Sequence, residues 1–396
     1  MKINKREIVY LDNSATTFVR PEVIKEIIKY SCHIYGNPSS IHNIGRQAKI
    51  ALENFRVKIS KLLNSNSEEI FFAGSGTEAD NIAILGISSA YKSNNKHIIT
   101  SKIEHPAVLN SCKYLEKIGY TVTYLNVNKY GIVSSEDLVK NIKDNTILVT
   151  IMHTNNEVGS IQPISEISTK LKKINKNRKI KIYFHTDAIQ SAGKLKLDVK
   201  KLGIDILTIS AHKFHGPKGV SAIYVKKGTS ISPILYGGSQ ENKIHPGTEN
   251  LAYIAGLSKA FKYSNNNLEK YHDYLFYLKN KLKYGILNSI PDVNINTPDT
   301  NSINNILNVS FKYLEGESLL LMLDMNDIAV STGSACASGL NSTSHVLSAM
   351  GINPILSRGS IRFSFDYYNT ESEIDYVLKI LPGLVKNLRL MYPNKS

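Results

Sequence analysis

Asp205-Ile-Leu-Thr-Ile-Ser-Ala-His-Lys-Phe-His-Gly-Pro-Lys-Gly219 is the stretch on which the reading of this chain turns. Ile206–Ser210 reads as an apolar strand, and Ser210-Ala-His-Lys213 follows directly at its end. A lysine just past such a strand is poorly placed to be a solvated surface cation. Burial disfavours the ammonium, and a lysine that loses its proton can form a Schiff base with a carbonyl. Ser210 and His212 beside it can donate to a phosphate, and Gly216-Pro-Lys-Gly219 turns the chain into the next strand. The plainer alternative is a basic loop with no chemistry.

Upstream, Phe184-His-Thr-Asp-Ala-Ile-Gln190 ends another apolar run on Asp187. A carboxylate closing a buried strand is unfavourable unless paired. A pyridine cofactor needs such an acid at its ring nitrogen, so that the protonated ring can act as an electron sink. Gln190, three residues on, is on the same side of the turn and can donate to a phenolic oxygen. Farther upstream, Phe71-Phe-Ala-Gly-Ser-Gly-Thr-Glu-Ala-Asp-Asn81 passes from strand through a Gly-rich turn into a helix. Free N–H groups and the positive end of the helix suit a phosphate there, with the Thr77 hydroxyl added. Alone this turn is a weak signal. His105, in Ser101-Lys-Ile-Glu-His105, is placed to stack on a flat ring or to shuttle protons. His153–Gly159 follows a further strand.

Downstream, Ser331-Thr-Gly-Ser-Ala-Cys-Ala-Ser-Gly339 surrounds Cys336 with small residues. A core cysteine would have bulkier apolar neighbours, so Cys336 reads as a nucleophile on a pliable loop. A free thiol near pKa 8.5 already holds a minor thiolate fraction at neutral pH. Cys32 and Cys112 have no such setting and are taken as structural. Three dispersed cysteines make neither a disulfide framework nor a CxxC metal site, and suit a reducing compartment.

These segments lie on alternating short apolar runs and helical stretches between about residues 70 and 225. The expected strands are Ile70–Phe72, Ile98–Thr100, Val122–Leu125, Ile147–Met152, Ile182–His185, Ile206–Ser210 and Val220–Val225. Helices are expected over Glu78–Tyr91, Pro106–Ile118 and Pro163–Ile174. The pattern predicts an α/β fold with a mostly parallel sheet covered by helices, with ligands beyond the carboxyl ends of the strands. After about residue 250 come long helices (Leu251–Tyr263, Leu268–Leu287), strands at Ile306–Phe311 and Ile361–Phe365, and a terminal helix opened by a Thr370/Glu373 capping box. A smaller α+β domain is expected there. The division is placed at 16–260 for the large domain, with 1–15 and 261–396 in the small one.

The 396 residues carry 42% hydrophobic and 20% charged side chains, enough for a folded core. No apolar run reaches the roughly 18–20 residues that span a bilayer, and the amino terminus shows no signal-peptide stretch. A soluble, cytoplasmic protein with no membrane partner is expected. The net charge of +15 is spread out, densest at Lys170–Lys181. Without interleaved aromatics that run reads as a helix end and loop rather than a nucleic-acid site. The charge still favours anionic ligands and acidic partners.

Taken together, the motifs resemble the NifS/IscS-type cysteine desulfurases of the class V, fold type I aminotransferase family. The likeness runs from Tyr10–Thr17 and Gly36–Ser39 through Gly247-Thr-Glu-Asn250, Asn305–Ser310 and Ser360–Ser364. The cysteine loop resembles the longer-loop group I branch. The resemblance implies pyridoxal 5'-phosphate, held by Lys213 as a Schiff base and by Asp187 at the pyridinium nitrogen. His105 would stack on the ring, and Gln190 and Asn156 would flank the phenolic oxygen. Gly76, Thr77, Ser210 and His212 would hold the phosphate, joined by Thr248 from the second copy of a homodimer. Arg362 would clamp the carboxylate of L-cysteine, with Asn37 nearby. Sulfur would pass as a persulfide on Cys336 to an acceptor or scaffold protein, in iron–sulfur cluster assembly or in tRNA or cofactor thiolation. No resident metal is implied; whether Cys336 ligates a cluster transiently during transfer is left open.

His245 stands where the family usually carries arginine, two residues before Gly247, and the sequence stops soon after Tyr392-Pro393, so the resemblance names no acceptor. Two rival readings stand beside this one. Another class V enzyme, an aminotransferase or a selenocysteine lyase, shares the cofactor, although an aminotransferase has no need of Cys336. A degraded paralogue acting as a binding protein would not need the Lys213, Asp187, His105 and Cys336 set.

Overall fold

A computed structural model describes residues 8–91, 95–332 and 343–391. Seven strands form the main sheet. Their order is Ile70–Ala73, Ser221–Val225, Ile206–Ser210, Tyr183–Asp187, Thr146–Thr150, His97–Ser101 and Thr121–Leu125. Six run parallel; Ser221–Val225 is antiparallel to both neighbours. The reason is distance along the chain. Ten residues separate Ser210 from Ser221, and they contain a single 3₁₀ turn at Ala211–Lys213, too little for a crossover that returns a parallel strand. Helices Gly76–Ser89 and Pro106–Lys117 cover one face of the sheet, where Ile82, Ile84, Ile87, Val108 and Leu115 pack. Ile164–Asn175 and Leu251–Asn266 cover the other, with Phe55, Phe184 and Phe261 in the core.

Two helices that the sequence reading passed over, Pro21–Cys32 and Asn43–Leu63, also pack on that second face. Their signals were present. Pro21 opens the first at a position where its missing N–H costs nothing. Asn64 closes the second in the left-handed conformation, at φ 57°.

A second core lies around a three-stranded antiparallel sheet, with Ile306–Phe311 between Val293–Ile295 and Ser360–Ser364. Phe311, Phe363, Leu278 and Leu381 are buried there, under helices Leu268–Ser289 and Glu371–Met391. The expected capping box is formed: Thr370 N donates to Glu373 Oε2 at 2.8 Å, and Glu373 N donates to Thr370 Oγ1 at 3.3 Å. Val9 and Leu11 belong to this second core, and Val9–Tyr10 pairs parallel with Ile328–Ala329. From Val9 and Leu11 in this core the chain crosses to the other within a few residues.

The basic run Lys170–Lys181 lies at the end of helix Ile164–Asn175 and in the loop beyond, where Lys170 pairs with Glu166 at 3.3 Å and Lys181 with Asp205 at 2.9 Å. Among the described residues no helix is long and apolar enough to cross a membrane. Cys112 is buried, and burial pushes its thiol well up, whereas Cys32 is exposed at a helix end rather than packed.

Candidate active site

The carboxyl ends of strands His97–Ser101, Thr146–Thr150, Tyr183–Asp187 and Ile206–Ser210 open on a cavity of about 630 Å³. That is within the usual range for a cofactor or small-ligand site. The 3₁₀ turn Ala211–Lys213 lifts Lys213 off the end of its strand. Its Nζ donates to the carbonyls of Ser14 (2.7 Å) and Ala15 (2.8 Å). Behind it, Lys194 Nζ donates to the carbonyls of Lys213 and Gln190, both at 3.2 Å. Burial, followed by the Lys213 charge, draws Lys194 down to about 7.

Asp187, the last residue of its strand, faces the same cavity. Its Oδ1 accepts from Ile189 N at 2.8 Å. Burial lifts its carboxyl to about 6, against the opposing pull of that N–H and of Lys213. Asp80, on helix Gly76–Ser89, is also fully buried and accepts from Thr208 Oγ1 at 2.7 Å. Burial raises Asp80 well above the usual carboxylate range, and the Asp187 charge raises it further. Two buried carboxyls this close cannot both ionise without a large penalty. Asp187, with Lys213 before it, is the one that carries the charge.

Helix Gly76–Ser89 points its amino terminus at the cavity, where Ser75, Gly76 and Thr77 line the wall opposite Ser210 and His212. The end is tightly built. Ser75 Oγ accepts from Glu78 N at 3.1 Å, and Glu78 Oε2 accepts from Gly74 N at 2.5 Å. A Cβ on Gly76 would sit 2.3 Å from Ile189 Cδ1 and 3.3 Å from Ser210 Cβ, so the cradle has room for glycine alone without displacement. Gly76→Ala is expected to weaken cofactor binding about tenfold, roughly 1.4 kcal/mol. Titration of cofactor into the cofactor-free protein measures this, and an unchanged affinity would remove Gly76 from the cradle. His212 Nδ1 lies 3.2 Å from Thr16 Oγ1, and burial lowers its imidazole to about 4, so it acts as a neutral donor rather than a cation. His245 pairs with Glu78 Oε1 at 3.0 Å, which ties the unusual residue to the turn itself.

The remaining expected residues divide into those at the cavity and those elsewhere. His105, Asn156, Gln190 and Arg362 line it. His105 caps helix Pro106–Lys117 by accepting from Ala107 N at 3.1 Å, and burial lowers its imidazole to about 4. Gln190 gives one amide hydrogen to Ser14 O at 2.9 Å, keeping a second hydrogen, and its Oε1 is buried without a partner. Arg362 Nη2 is paired with Asp12 Oδ1 at 2.7 Å and Nη1 donates to Asn156 O at 3.0 Å, while Nε has no partner. Asp12 thus already orients the guanidinium at the cavity. The structure does not bring Asn37 to the cavity. Its exposed side chain accepts from Ser39 N at 2.9 Å and closes a local turn. Thr248, expected to act across a dimer, is exposed in the single chain. Cys336 lies outside the described residues.

The sequence reading gave no individual role to Asp12, Ser14, Glu157 or His345, all of which line the cavity. Asp12 and Ser14 follow the first strand, and the pairing of Val9–Tyr10 with Ile328–Ala329, with the Asp12–Ser364 bridge beyond it, brings them here. The local signal was Tyr10–Thr17, noticed as a likeness without a role.

This arrangement has known counterparts. The family described as Aminotransferase class-V matches residues 9–377. Cysteine desulfurase IscS of Dictyoglomus turgidum is 46% identical over 392 residues, covering 99% of this chain and 98% of the relative. That of Methanosarcina thermophila is 47% identical over 389 residues, covering 98% and 95%. Among solved structures, a NifS-like protein superposes with a TM-score of 0.90 at 38% identity, covering 96% of this chain and all of the other. SspA in complex with cysteine gives 0.79 at 32% identity, covering 91% and 100%. The chain belongs to the class-V aminotransferase family, alongside the IscS and NifS-like cysteine desulfurases. The family's cofactor is pyridoxal 5'-phosphate. The residues present fit it: an amine on Lys213, a buried carboxyl on Asp187, a glycine-only cradle at a helix amino terminus, and an unpartnered buried Gln190 Oε1.

Proposed function

We propose that this chain is a pyridoxal-phosphate-dependent cysteine desulfurase, which converts L-cysteine to L-alanine and passes the sulfur as a Cys336 persulfide to an acceptor protein. The observation that carries the reading is the convergence of Lys213, Asp187 and Arg362, from three different parts of the fold, on one cavity. When bound, the cofactor supplies an electron sink for the pair left at Cα. Lys213 Nζ takes and returns the Cα proton, and Asp187 keeps the ring nitrogen protonated. Gly76, Thr77, Ser210 and His212 hold the phosphate, joined by Thr248 of the second copy in a homodimer. His105 stacks on the ring, with Asn156 and Gln190 at its phenolic oxygen. Arg362, oriented by Asp12, binds the substrate carboxylate by charge-assisted hydrogen bonds. The relatives named IscS support an acceptor in iron–sulfur cluster assembly, and the relative solved with cysteine supports the substrate. The large domain is taken as 16–260 and the small one as 1–15 with 261–396; Val9 and Leu11 in the second core support the amino-terminal part.

Sulfide and alanine release from L-cysteine, with a thiol reductant, tests the reading for the wild type beside Cys336→Ala. The wild type is expected to be yellow and to release both products; the variant is expected to stay yellow and lose at least about a hundredfold in sulfide release. Sulfide release by the variant at the wild-type rate would remove Cys336 from the transfer.

A further inference from the structure

Three imidazoles line the cavity, and the hydrogen bonds of two of them, His105 and His345, give opposite proton roles. A backbone N–H can only donate, so the bond from Ala107 N requires a lone pair on His105 Nδ1. Neutral His105 then carries its hydrogen on Nε2 and offers a donor. A carbonyl oxygen can only accept, so Glu104 O, 3.0 Å from His345 Nε2, requires a hydrogen on that nitrogen. Neutral His345 is therefore bare at Nδ1 and offers an acceptor. Among the described residues Nδ1 has no hydrogen-bond partner, and the His345 side chain is exposed where it lines the cavity.

The mounting of His345 is rigid. It is the first residue of helix His345–Ala349, and the preceding Ser344 donates to Glu157 Oε2 at 2.5 Å while accepting from Leu347 N at 3.2 Å. The groups facing the ring are His105, the Glu104 carbonyl and Lys113. Desolvation, with the Lys113 charge beside it, keeps the imidazole below its usual value, although the carbonyl opposes them. The other bases at the cavity are engaged. Asp12 pairs with Arg362, Glu157 accepts from Ser344, and His212 Nδ1 faces Thr16. Asp187 and Lys213 serve the cofactor in the reading above, on which this inference rests.

We propose that His345 Nδ1 is the proton acceptor for the thiol of the bound cysteine. The S–H bond breaks, its electron pair stays on sulfur, and an N–H bond forms at Nδ1, leaving a thiolate beside an imidazolium. Nothing is oxidised or reduced in the step. Cysteine–histidine pairs of this kind lower a thiol's pKa because each charge stabilises the other. His345 is thus a catalytic residue for the sulfur, separate from the proton traffic at Cα.

His345→Gln tests this. Its amide keeps a donor for Glu104 O, and its oxygen cannot hold a proton at neutral pH. Sulfide release from L-cysteine is expected to fall about a hundredfold with KM within about threefold. The acid limb of the wild-type pH profile, where Nδ1 becomes protonated, is expected to vanish in the variant. Exchange of the Cα hydrogen of L-alanine in D₂O, which involves no thiol, should stay within about twofold, since the proton acceptor at Cα is untouched. Equal losses in both reactions, or no loss of sulfide release, overturn the proposal. So does a ¹⁵N spectrum of the cofactor-free wild type showing hydrogen on His345 Nδ1, a check that needs no variant to fold. A wild type that exchanges alanine yet yields no sulfide from cysteine overturns the desulfurase reading, and this inference with it. The variant results overturn the inference alone.

Discussion

Lys213→Ala is expected to lower sulfide release from L-cysteine by at least about a thousandfold, because one nitrogen performs two tasks that no neighbour can take over. In the proposed function it would form the covalent link to the cofactor and then carry the Cα proton. Lys194 sits behind it but is tied to the carbonyls of Lys213 and Gln190 and has no path to the substrate carbon. The variant should also lose cofactor on dialysis, since the phosphate cradle would hold it without a covalent bond. A second effect separates chemistry from support. Removing Nζ leaves the Ala15 carbonyl without that donor and the Ser14 carbonyl with Gln190 alone, which costs about 1–3 kcal/mol. Lys213→Arg should recover most of that stability, since a guanidinium can donate to both carbonyls, and none of the activity. Visible spectra, sulfide assays and thermal unfolding of the three proteins measure these outcomes. Activity within tenfold of wild type in Lys213→Ala would exclude the Schiff-base role.

The second large effect is expected at Asp187, where function and stability should move in opposite directions. Asp187→Asn keeps the shape and removes the charge proposed to hold the ring nitrogen protonated, and a loss of about a hundredfold or more is expected. In the cofactor-free protein the same change should stabilise. The Asp187 carboxyl titrates near 6 in the folded state, above its ordinary value of 3.8, because burial opposes ionisation. Between about pH 4 and 6 the folded state binds more protons than the unfolded one, so this carboxyl subtracts stability as pH rises through that window. Above pH 6 the full penalty is present, on the order of 3 kcal/mol. The neutral amide of the variant carries none of it. Thermal unfolding of the cofactor-free proteins should therefore favour the variant at pH 7.5 and show a smaller gap at pH 4.5. A variant that is less stable at both pH values would show that the Asp187 charge is already compensated without cofactor.

Much of this was legible in the chain because the strands of a covered parallel sheet are continuous apolar runs, and a polar residue ending one stands out. Lys213, Asp187 and His105 all follow that rule, and all three line the cavity. The seven strands of the large sheet were visible for the same reason. Less legible was anything set by pairing at a distance. The reversed direction of Ser221–Val225 follows from the short link before it rather than from its composition. The pairing of Asp12 with Arg362 joins residues 350 apart, and no local pattern announces it. His345 was missed for another reason: it follows a serine in a short helix and looks like an ordinary capped turn until Glu104 fixes its tautomer. Asn37 shows the converse, a residue carried over from a motif whose side chain here serves its own turn.

The crossing of the amino-terminal strand sets an order of events in the cell. Ser14 N donates to Ser364 Oγ, 350 residues away, and the same few residues carry the carbonyls that hold Lys213. During synthesis the segment around Ser14 leaves the ribosome early. Its carbonyls can meet Gln190 and Lys213 once about half the chain has followed, but its bond to Ser364 waits for almost the entire chain. The large sheet can assemble meanwhile, but the chamber has no finished wall until the Ile328–Ala329 and Ser360–Ser364 strands emerge. Vitamin loading is thereby deferred to the last stage of translation, and a nascent chain stalled before that stage would be a folded scaffold with no working centre.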